Sequence, residues 1–296
     1  MLITLNNLII KIKAPFSGVF FLAIFIKSPL KNMSESCCNT NTSNKAPNQF
    51  DHKDAIQERY GSAALEKESC LCTPVGFNPV LLEAIPQEVI ERDYGCGDPT
   101  KYVQKNDIVL DLGSGSGKNA FICAQIVGKE GKVIGVDQNP DMLSLSRSAS
   151  KEVTKNIGFN NTEFVEGSIE KLDELDKDLN PLIENKSVDI ILSNCVLNLV
   201  SPESRNNLLN NIKRVLNHNG RIAISDIVSN KKVPLRLQND HDLWTGCISG
   251  AWYEPDFISD FKELGFKNLE FAERSAEPWK VIEDIEFRTV TLVGNI

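Results

Sequence analysis

Ile108-Val109-Leu110-Asp111-Leu112-Gly113-Ser114-Gly115-Ser116-Gly117 decides the fold. A short apolar run with β-branched residues reads as a buried strand. It passes directly into three glycines at alternate positions, and residues 117–127 then read as a helix. The same rhythm continues outward. Residues 132–136, 162–165, 187–192 and 221–225 read as further strands, with helices over 140–156 and 203–217 and an Asn219-Gly220 turn before the fifth strand. Strand and helix alternating in this way imply an α/β fold, a doubly wound, mostly parallel sheet with helices on both faces. Right-handed crossovers place every loop that follows a strand on one edge of that sheet, where ligands gather.

The flanks read differently. A helix over 51–66, a second opened by Asn78-Pro79 and a turn or two at 87–93 form a helical N-terminal cap over 51–106, ahead of a core at 107–230. After Asp226 the rhythm breaks. Residues 235–250 read as a helix, 254–264 as another stopped by Gly265, and 266–271 and 287–293 as strands that close the sheet antiparallel. Residues 231–296 are thus expected to be a small C-terminal substrate-binding extension. Residues 16–26 are largely apolar between lysines, but a membrane helix needs about 20 such residues. They resemble the apolar core of a signal peptide without a clean cleavage site. Residues 33–50 are rich in Ser, Asn and Thr and read as a flexible tail. The expectation is that translation begins at Met33 and that residues 1–50 are disordered or mis-assigned.

The chain has 296 residues with 41% hydrophobic and 24% charged side chains, ordinary for a globular protein. A net charge of -8 without a basic run disfavours nucleic acid, and no membrane partner is expected. Eight cysteines are too sparse for a disulfide scaffold, lack paired C-x-x-C spacing, and stand beside only three histidines. Free thiols in a reducing, cytoplasmic setting are the better reading.

The glycine spacing is G-x-G-x-G, not the G-x-G-x-x-G of dinucleotide sites, which makes nicotinamide the weaker cofactor and S-adenosylmethionine the stronger. Gly113, Gly115 and Gly117 let a ligand lie against the backbone. Asp111 is placed to face its amino acid end, and Asp137, 20 residues after Gly117, to accept from its ribose hydroxyls. Ile169 and Glu170 follow the third strand, where adenine is usually read. Gln138 and Asn194, at the ends of strands two and four, complete the candidates drawn from the strand edges.

Three cysteines stand in unusual contexts. Cys96 lies between Gly95 and Gly97, Cys195 just past the fourth strand, and Cys247 in Trp244-Thr245-Gly246-Cys247-Ile248-Ser249-Gly250. Each is either a small buried hydrophobe, the commonest role of a free cysteine, or a ligand presented by a loop. Cys123, in Phe121-Ile122-Cys123-Ala124, reads as helix core. Cys37-Cys38 in the tail are read as unconstrained thiols.

Tyr94-Gly95-Cys96-Gly97, residues 111–117, Ile169-Glu170-Lys171-Leu172, Ser193-Asn194-Cys195-Val196-Leu197-Asn198-Leu199-Val200 and Leu243-Trp244-x-Gly246-Cys247-x-x-Gly250-Ala251 together resemble the arsenite S-adenosylmethionine methyltransferases. The match runs from about residue 54 onward, and the cysteine contexts make it specific. The resemblance implies the Rossmann-like class I methyltransferase fold, As(III) as substrate on Cys96, Cys195 and Cys247, and Tyr94 and Gly95 bordering the methionine part of the cofactor. It implies Trp244 and Trp252 as walls of the site. It also implies an upstream cysteine, Cys72 or else Cys70, that pairs with Cys96 during turnover. Arsenite or its glutathione conjugate would be the substrate, and thioredoxin or glutathione the reductant. Two departures stand out: relatives often carry a further small domain beyond the point matching Ile296, and an acidic residue where this chain has Lys118-Asn119. A methyltransferase acting on carbon or oxygen of a small metabolite, with structural cysteines, and a non-enzymatic thiol-based arsenic sensor remain as alternatives.

Overall fold

In the computed structural model the described residues are 52–68 and 76–296. Cys37, Cys38, Cys70, Cys72, Met33 and the apolar stretch 16–26 lie outside them, and so do the expectations attached to residues 1–50. Among the described residues no helix is long and apolar enough to cross a membrane.

The nucleus of the fold is the strand–glycine loop–helix unit. Strand β1 (Ile108–Leu112) lies between β2 (Lys132–Asp137) and β4 (Val188–Asn194), and β3 (Thr162–Glu166) and β5 (Leu216–Ser229) flank these on either side, all parallel. β9 (Ile285–Asn295) runs antiparallel to β5, and β7 (Lys267–Arg274) antiparallel to β9, giving the order β3-β2-β1-β4-β5-β9-β7. Successive strand residues enter opposite apolar layers. Leu110, Ile191 and Ile222 pack on one face, Val109, Ile190 and Ala223 on the other. Burial on both faces is why these strands read as continuous apolar runs rather than alternating ones.

Helices α4 (Lys118–Val127) and α5 (Pro140–Ile157) line one face, and α6 (Arg205–Val215) and α9 (Glu254–Glu263) the other. α5 begins where Asn139 caps the amides of Asp141 and Met142 at 3.0 and 3.1 Å, with Pro140 in its first turn. It ends at Gly158, whose φ of +86° suits only glycine well. Ahead of the sheet stand α1 (His52–Leu65), α2 (Pro79–Leu82) and α3 (Gln87–Glu91).

Two local expectations change. The fifth strand is not confined to 221–225 behind an Asn219-Gly220 turn. It runs Leu216–Ser229 because Leu216 already pairs with Val188 across a register shift, and because β9 pairs it from Arg221 to Ser229. The helix expected over 235–250 is two short ones, α7 (Leu235–Gln238) and α8 (His241–Thr245). Asp240 Oδ1 accepts from Leu243 N at 2.9 Å and so starts a new helix. Cys247 follows it at a φ of +59°, in a turn rather than on a helix face. Two short strands went unread, β6 (Trp252–Tyr253) beside β5 and β8 (Lys280–Ile282) beside β9.

Cys123 is fully buried in α4, and burial pushes its thiol well above the usual range. Cys123→Ser is expected to cost about 1–2 kcal/mol by burying a hydroxyl. Urea denaturation would register that loss, and turnover at low temperature should stay near wild type; a selective loss of turnover would contradict a purely packing role.

Candidate active site

The glycine loop closes over the carboxyl edge of the sheet. Gly113 has a φ of +68°, and a side chain there would strike Val196, so the loop lies flat against the turn after β4. Gly115, at φ +51°, faces open space instead. That opening is the floor of a cleft walled by Tyr60, Tyr94, Asp137, Ile169, Asn194 and Cys195 among others.

The candidates distribute unevenly around it. Tyr94, Gly113, Gly115, Asp137, Gln138, Ile169, Glu170 and Asn194 line the cleft. Gly95, Asp111 and Gly117 are not among its lining residues. Gly95 packs on the Asn194 side chain, and Gly117 on the rings of Phe121 and Phe164. Asp111 is fully buried, and its Oδ2 has no hydrogen-bond partner among the described residues. Burial, and secondarily the charges of Asp93 and Asp137, push its carboxyl up to about 7. Asp137 spends both oxygens on the backbone: Oδ2 accepts from Gly115 N and Oδ1 from Asn139 N, each at 2.8 Å. It therefore clamps the glycine loop, and its remaining lone pairs are what it can offer to a ribose. Lys118, the departure after the loop, is buried at the start of α4 in an ion pair with Asp93 and stands 3.8 Å over the Phe77 ring. Asn119 beside it lines the cleft.

S-adenosylmethionine fits this donor set. Asp93, Asp137 and Glu170 face the cleft against Lys53 and Arg92, and Asp111 lies buried nearby, so carboxyls outnumber cations around a ligand with ammonium and sulfonium charges. Gly115 leaves its backbone open beneath such a ligand.

The thiols of Cys96, Cys195 and Cys247 meet in one apolar pocket of the core. They are 6%, 7% and 3% exposed, so none is a surface thiol. The Cys195 thiol stands near enough to both Cys96 and Cys247 for each to shift its ionisation. Cys247 Sγ also donates to the Cys195 carbonyl at 2.9 Å, and Tyr60 Oη lies 3.7 Å from it. No three His, Cys, Asp or Glu side chains among the described residues already form a metal cage. The three thiols share one apolar cluster, and converging them on one atom requires Cys247 Sγ to leave that carbonyl. Cys195 has a φ of +64° and donates its amide to Ser225 O at 2.8 Å. Cys195 and Cys247 thus both sit on left-handed backbone, strain of the kind that collects at functional sites.

The glycines around Cys96 serve packing rather than presentation. A side chain at Gly95 would meet Asn194, and one at Gly97 would meet Ser225 and Thr291. Asn194 Oδ1 accepts from Cys96 N at 2.8 Å and Gly97 N at 3.2 Å, and its Nδ2 donates to Gly97 O at 2.8 Å.

The thiols stand above their ordinary range for related reasons. For Cys96 the hydrogen bond with Cys195 pulls downward, but burial and the charge of Asp226 outweigh it. Cys195 is lowered by Cys247, raised by Cys96, and raised further by burial. Cys247 is raised first by its bond with Cys195 and then by burial. Asp226, on β5, is itself pushed up to about 7 by burial, against backbone hydrogen bonds from Ile227, Asn198 and Leu197 and the charge of Arg205.

Sequence reasoning missed Asp226, Tyr60 and Trp279 and gave Asn198 no role. Asp226 had one usable signal, its position toward the ligand edge of the fifth strand. Tyr60 reaches the site from α1 and had none. Trp279, not Trp244 or Trp252, packs with the thiol-bearing part of the core. Trp244 is fully buried in α8. Trp252 packs beneath α9, with the Arg205 guanidinium 3.6 Å over its ring.

This sheet, with a glycine-looped acidic cleft at its carboxyl edge, defines a class I S-adenosylmethionine-dependent methyltransferase fold. Residues 103–275 match a family described as methyltransferase domain. An arsenite methyltransferase of Mus musculus is 33% identical over 225 residues, covering 73% of this chain and 57% of the mouse protein. One from Halobacterium salinarum is 37% identical over 180 residues, 60% of this chain and 42% of that one. The crystal structure of an arsenic (III) S-adenosylmethionine methyltransferase from Chlamydomonas reinhardtii superposes with a TM-score of 0.65 at 30% identity, covering 75% of this chain and 74% of that one. The chain belongs to the methyltransferase-domain family, in its arsenite S-adenosylmethionine methyltransferase group. It spans little more than half the length of the mouse relative.

The raised Asp111 carboxyl sets a pH signature. Its folded value, about 7, lies above its unfolded value, so its contribution to stability is full in acid and is lost as pH rises through about 7. A cationic ligand offsets that loss. S-adenosylmethionine is therefore expected to raise the melting temperature more at pH 8 than at pH 5, and Asp111→Asn to flatten the difference, read by thermal denaturation. Asp137→Ala, which removes the loop clamp, should weaken cofactor binding by roughly 10- to 100-fold in calorimetry; unchanged affinity would show that Asp137 does neither job.

Proposed function

We propose that this chain is an arsenite methyltransferase, moving a methyl group from S-adenosylmethionine to trivalent arsenic held by Cys96, Cys195 and Cys247. The observation that supports it most is the double position of Cys195. It lines the cofactor cleft, shares an apolar cluster with the other two, and accepts the Cys247 thiol at its carbonyl. A thiol trio there places a soft ligand set beside the donor, and soft sulfur suits a thiophilic metalloid.

The protonation of the site fits the substrate. Arsenous acid is uncharged at neutral pH and binds thiols by condensation: an arsenic–sulfur bond forms, an arsenic–hydroxyl bond breaks, and the thiol proton leaves in water. Neutral thiols are the form this reaction consumes. Burial and Asp226 keep all three in that form. Three thiolates leave arsenic one lone pair, which is the nucleophile, so no side chain has to act as a general base. Bound S-adenosylmethionine supplies a methyl group on a sulfonium. The chain's own task is to hold arsenic and align it with that carbon, the positional part of catalysis.

Transfer raises arsenic formally to the pentavalent state. Two thiols then give up two electrons, forming a disulfide as arsenic returns to As(III). Pairing of Cys72, or Cys70, with Cys96 would provide it, and thioredoxin or glutathione would restore the thiols by exchange. Arsenite or its glutathione conjugate would enter by the same condensation. Such thiols belong in a reducing, cytoplasmic setting.

Purified protein with arsenite, S-adenosylmethionine and a thiol should yield methylated arsenic, separated by chromatography. Cys247→Ser and Cys195→Ser are expected to reduce that yield to background, with S-adenosylhomocysteine binding retained. Normal yield from either variant removes that residue from the site. Binding of arsenic without turnover, or methylation of a carbon or oxygen acceptor instead, returns the sensor or small-metabolite reading.

A further inference from the structure

Asn198 sits in the 3-10 turn Leu197–Leu199 immediately after Cys195, and it is 1% exposed. Its side-chain Nδ2 donates to Ile227 O at 2.7 Å and to Cys247 O at 3.2 Å. Its Oδ1 has no partner among the described residues. The amide is thus held for its two donors, one spent on β5 and one on the peptide of Cys247. A side chain at Gly250 would collide with the Asn198 carbonyl, so the Cys247 turn packs directly on this residue. Arg59 holds the turn's leading side through Thr245 Oγ1 at 2.8 Å, and Arg205 its trailing side through Gly250 O at 2.5 Å. Asn198 is the described side chain that bonds Cys247's own peptide, which stands at a φ of +59°. Such backbone persists only where the surroundings hold it.

We infer that Asn198 is a positioning residue for the third arsenic ligand: its amide ties the Cys247 turn to the end of β4, and so sets whether arsenic receives three sulfurs or two. This rests on the arsenite reading above. It has a chemical consequence that a general loss of stability does not share. Arsenous acid has three exchangeable hydroxyls and takes three thiols. In a Cys247→Ser background only two of these thiols remain, and the Asn198 amide then has no arsenic ligand to hold.

The test uses the full chain with Cys37, Cys38, Cys70 and Cys72 replaced by serine, so that the trio and the core Cys123 are the remaining thiols. X-ray absorption counts the sulfur neighbours of bound arsenic, and titration gives arsenite affinities. The parent should show three sulfurs. Asn198→Ala, which strands the Cys247 carbonyl, should show two, with arsenite affinity lower by roughly tenfold or more. Asn198→Asp keeps the shape but removes the donors, and should behave the same way. In a Cys247→Ser background, Asn198→Ala should make no further difference to arsenite affinity. S-adenosylhomocysteine binding reports folding throughout. If the Asn198 variants do not fold, Gly250→Ala, which pushes the turn off the Asn198 carbonyl and leaves the amide in place, should give the same selective loss. A parent with fewer than three sulfurs overturns the arsenite reading itself. A parent with three and an Asn198→Ala variant also with three, or a further loss of arsenite affinity when Asn198→Ala is added to Cys247→Ser, overturns the role of Asn198.

Discussion

Asn194 bonds the backbone on both sides of Cys96, and the next residue, Cys195, bonds its amide to Ser225 and accepts the Cys247 thiol at its carbonyl. Three residues on, Asn198 holds Cys247. Five consecutive residues at the end of β4 therefore gather three thiols from segments about 50 to 150 positions apart. The constraint is set by the sheet. Because β4 lies between β1 and β5, its carboxyl end emerges between the glycine loop after β1 and the Ser225–Asp226 region of β5. Val196 seals against Gly113 on one side, and Cys195 against the other thiols. Without the left-handed backbone of Cys195, that one turn could not face both ways.

Electrostatics divide the site along the same line. Asp111 and Asp226 are both buried carboxyls pushed up to about 7, chiefly by desolvation. On the cleft side, Asp111 has two acidic neighbours, Asp93 and Asp137, and an unpartnered oxygen, so its ionisation is relieved by a cation. On the thiol side, Asp226 has backbone amides and Arg205 to stabilise its charge, and its field falls on thiols that it keeps neutral. The same desolvation thus works in opposite senses a few residues apart. One half of the site prefers a positively charged ligand, the other an uncharged one.

What was legible in the chain were the features whose chemistry is local. The glycine loop between strand and helix, Asp137 at the end of β2 and the post-strand place of Cys195 each follow from a few adjacent residues and the handedness of crossovers. The turn of Cys247 was misread as helix because residues 235–250 carry enough apolar side chains to suggest one. The decisive break, a new helix capped by Asp240, depends on a side-chain hydrogen bond rather than on periodicity. The glycines beside Cys96 signalled a special position, but their reason, contact with Asn194 and Ser225, is tertiary. Trp279 was unreadable for a similar cause. It reaches the thiols only because its backbone amide bonds Phe287 O at 2.8 Å, alongside the pairing of β8 with β9.

α1 completes the arrangement from outside the sheet. Lys53, Ile56, Gln57 and Tyr60 on this one helix face the cofactor cleft. Tyr60 Oη also lies against Cys247 Sγ, while Arg59, its neighbour, bonds Thr245 at the base of the Cys247 turn. A helix of modest intrinsic stability, carrying a mid-helix Gly61, is held here by tertiary contacts at both ends of its inner face. Those contacts lie at the cleft and at the Cys247 thiol. Displacing α1 would open the cleft and withdraw Tyr60 from Cys247 together, so the two neighbourhoods are linked through this one helix.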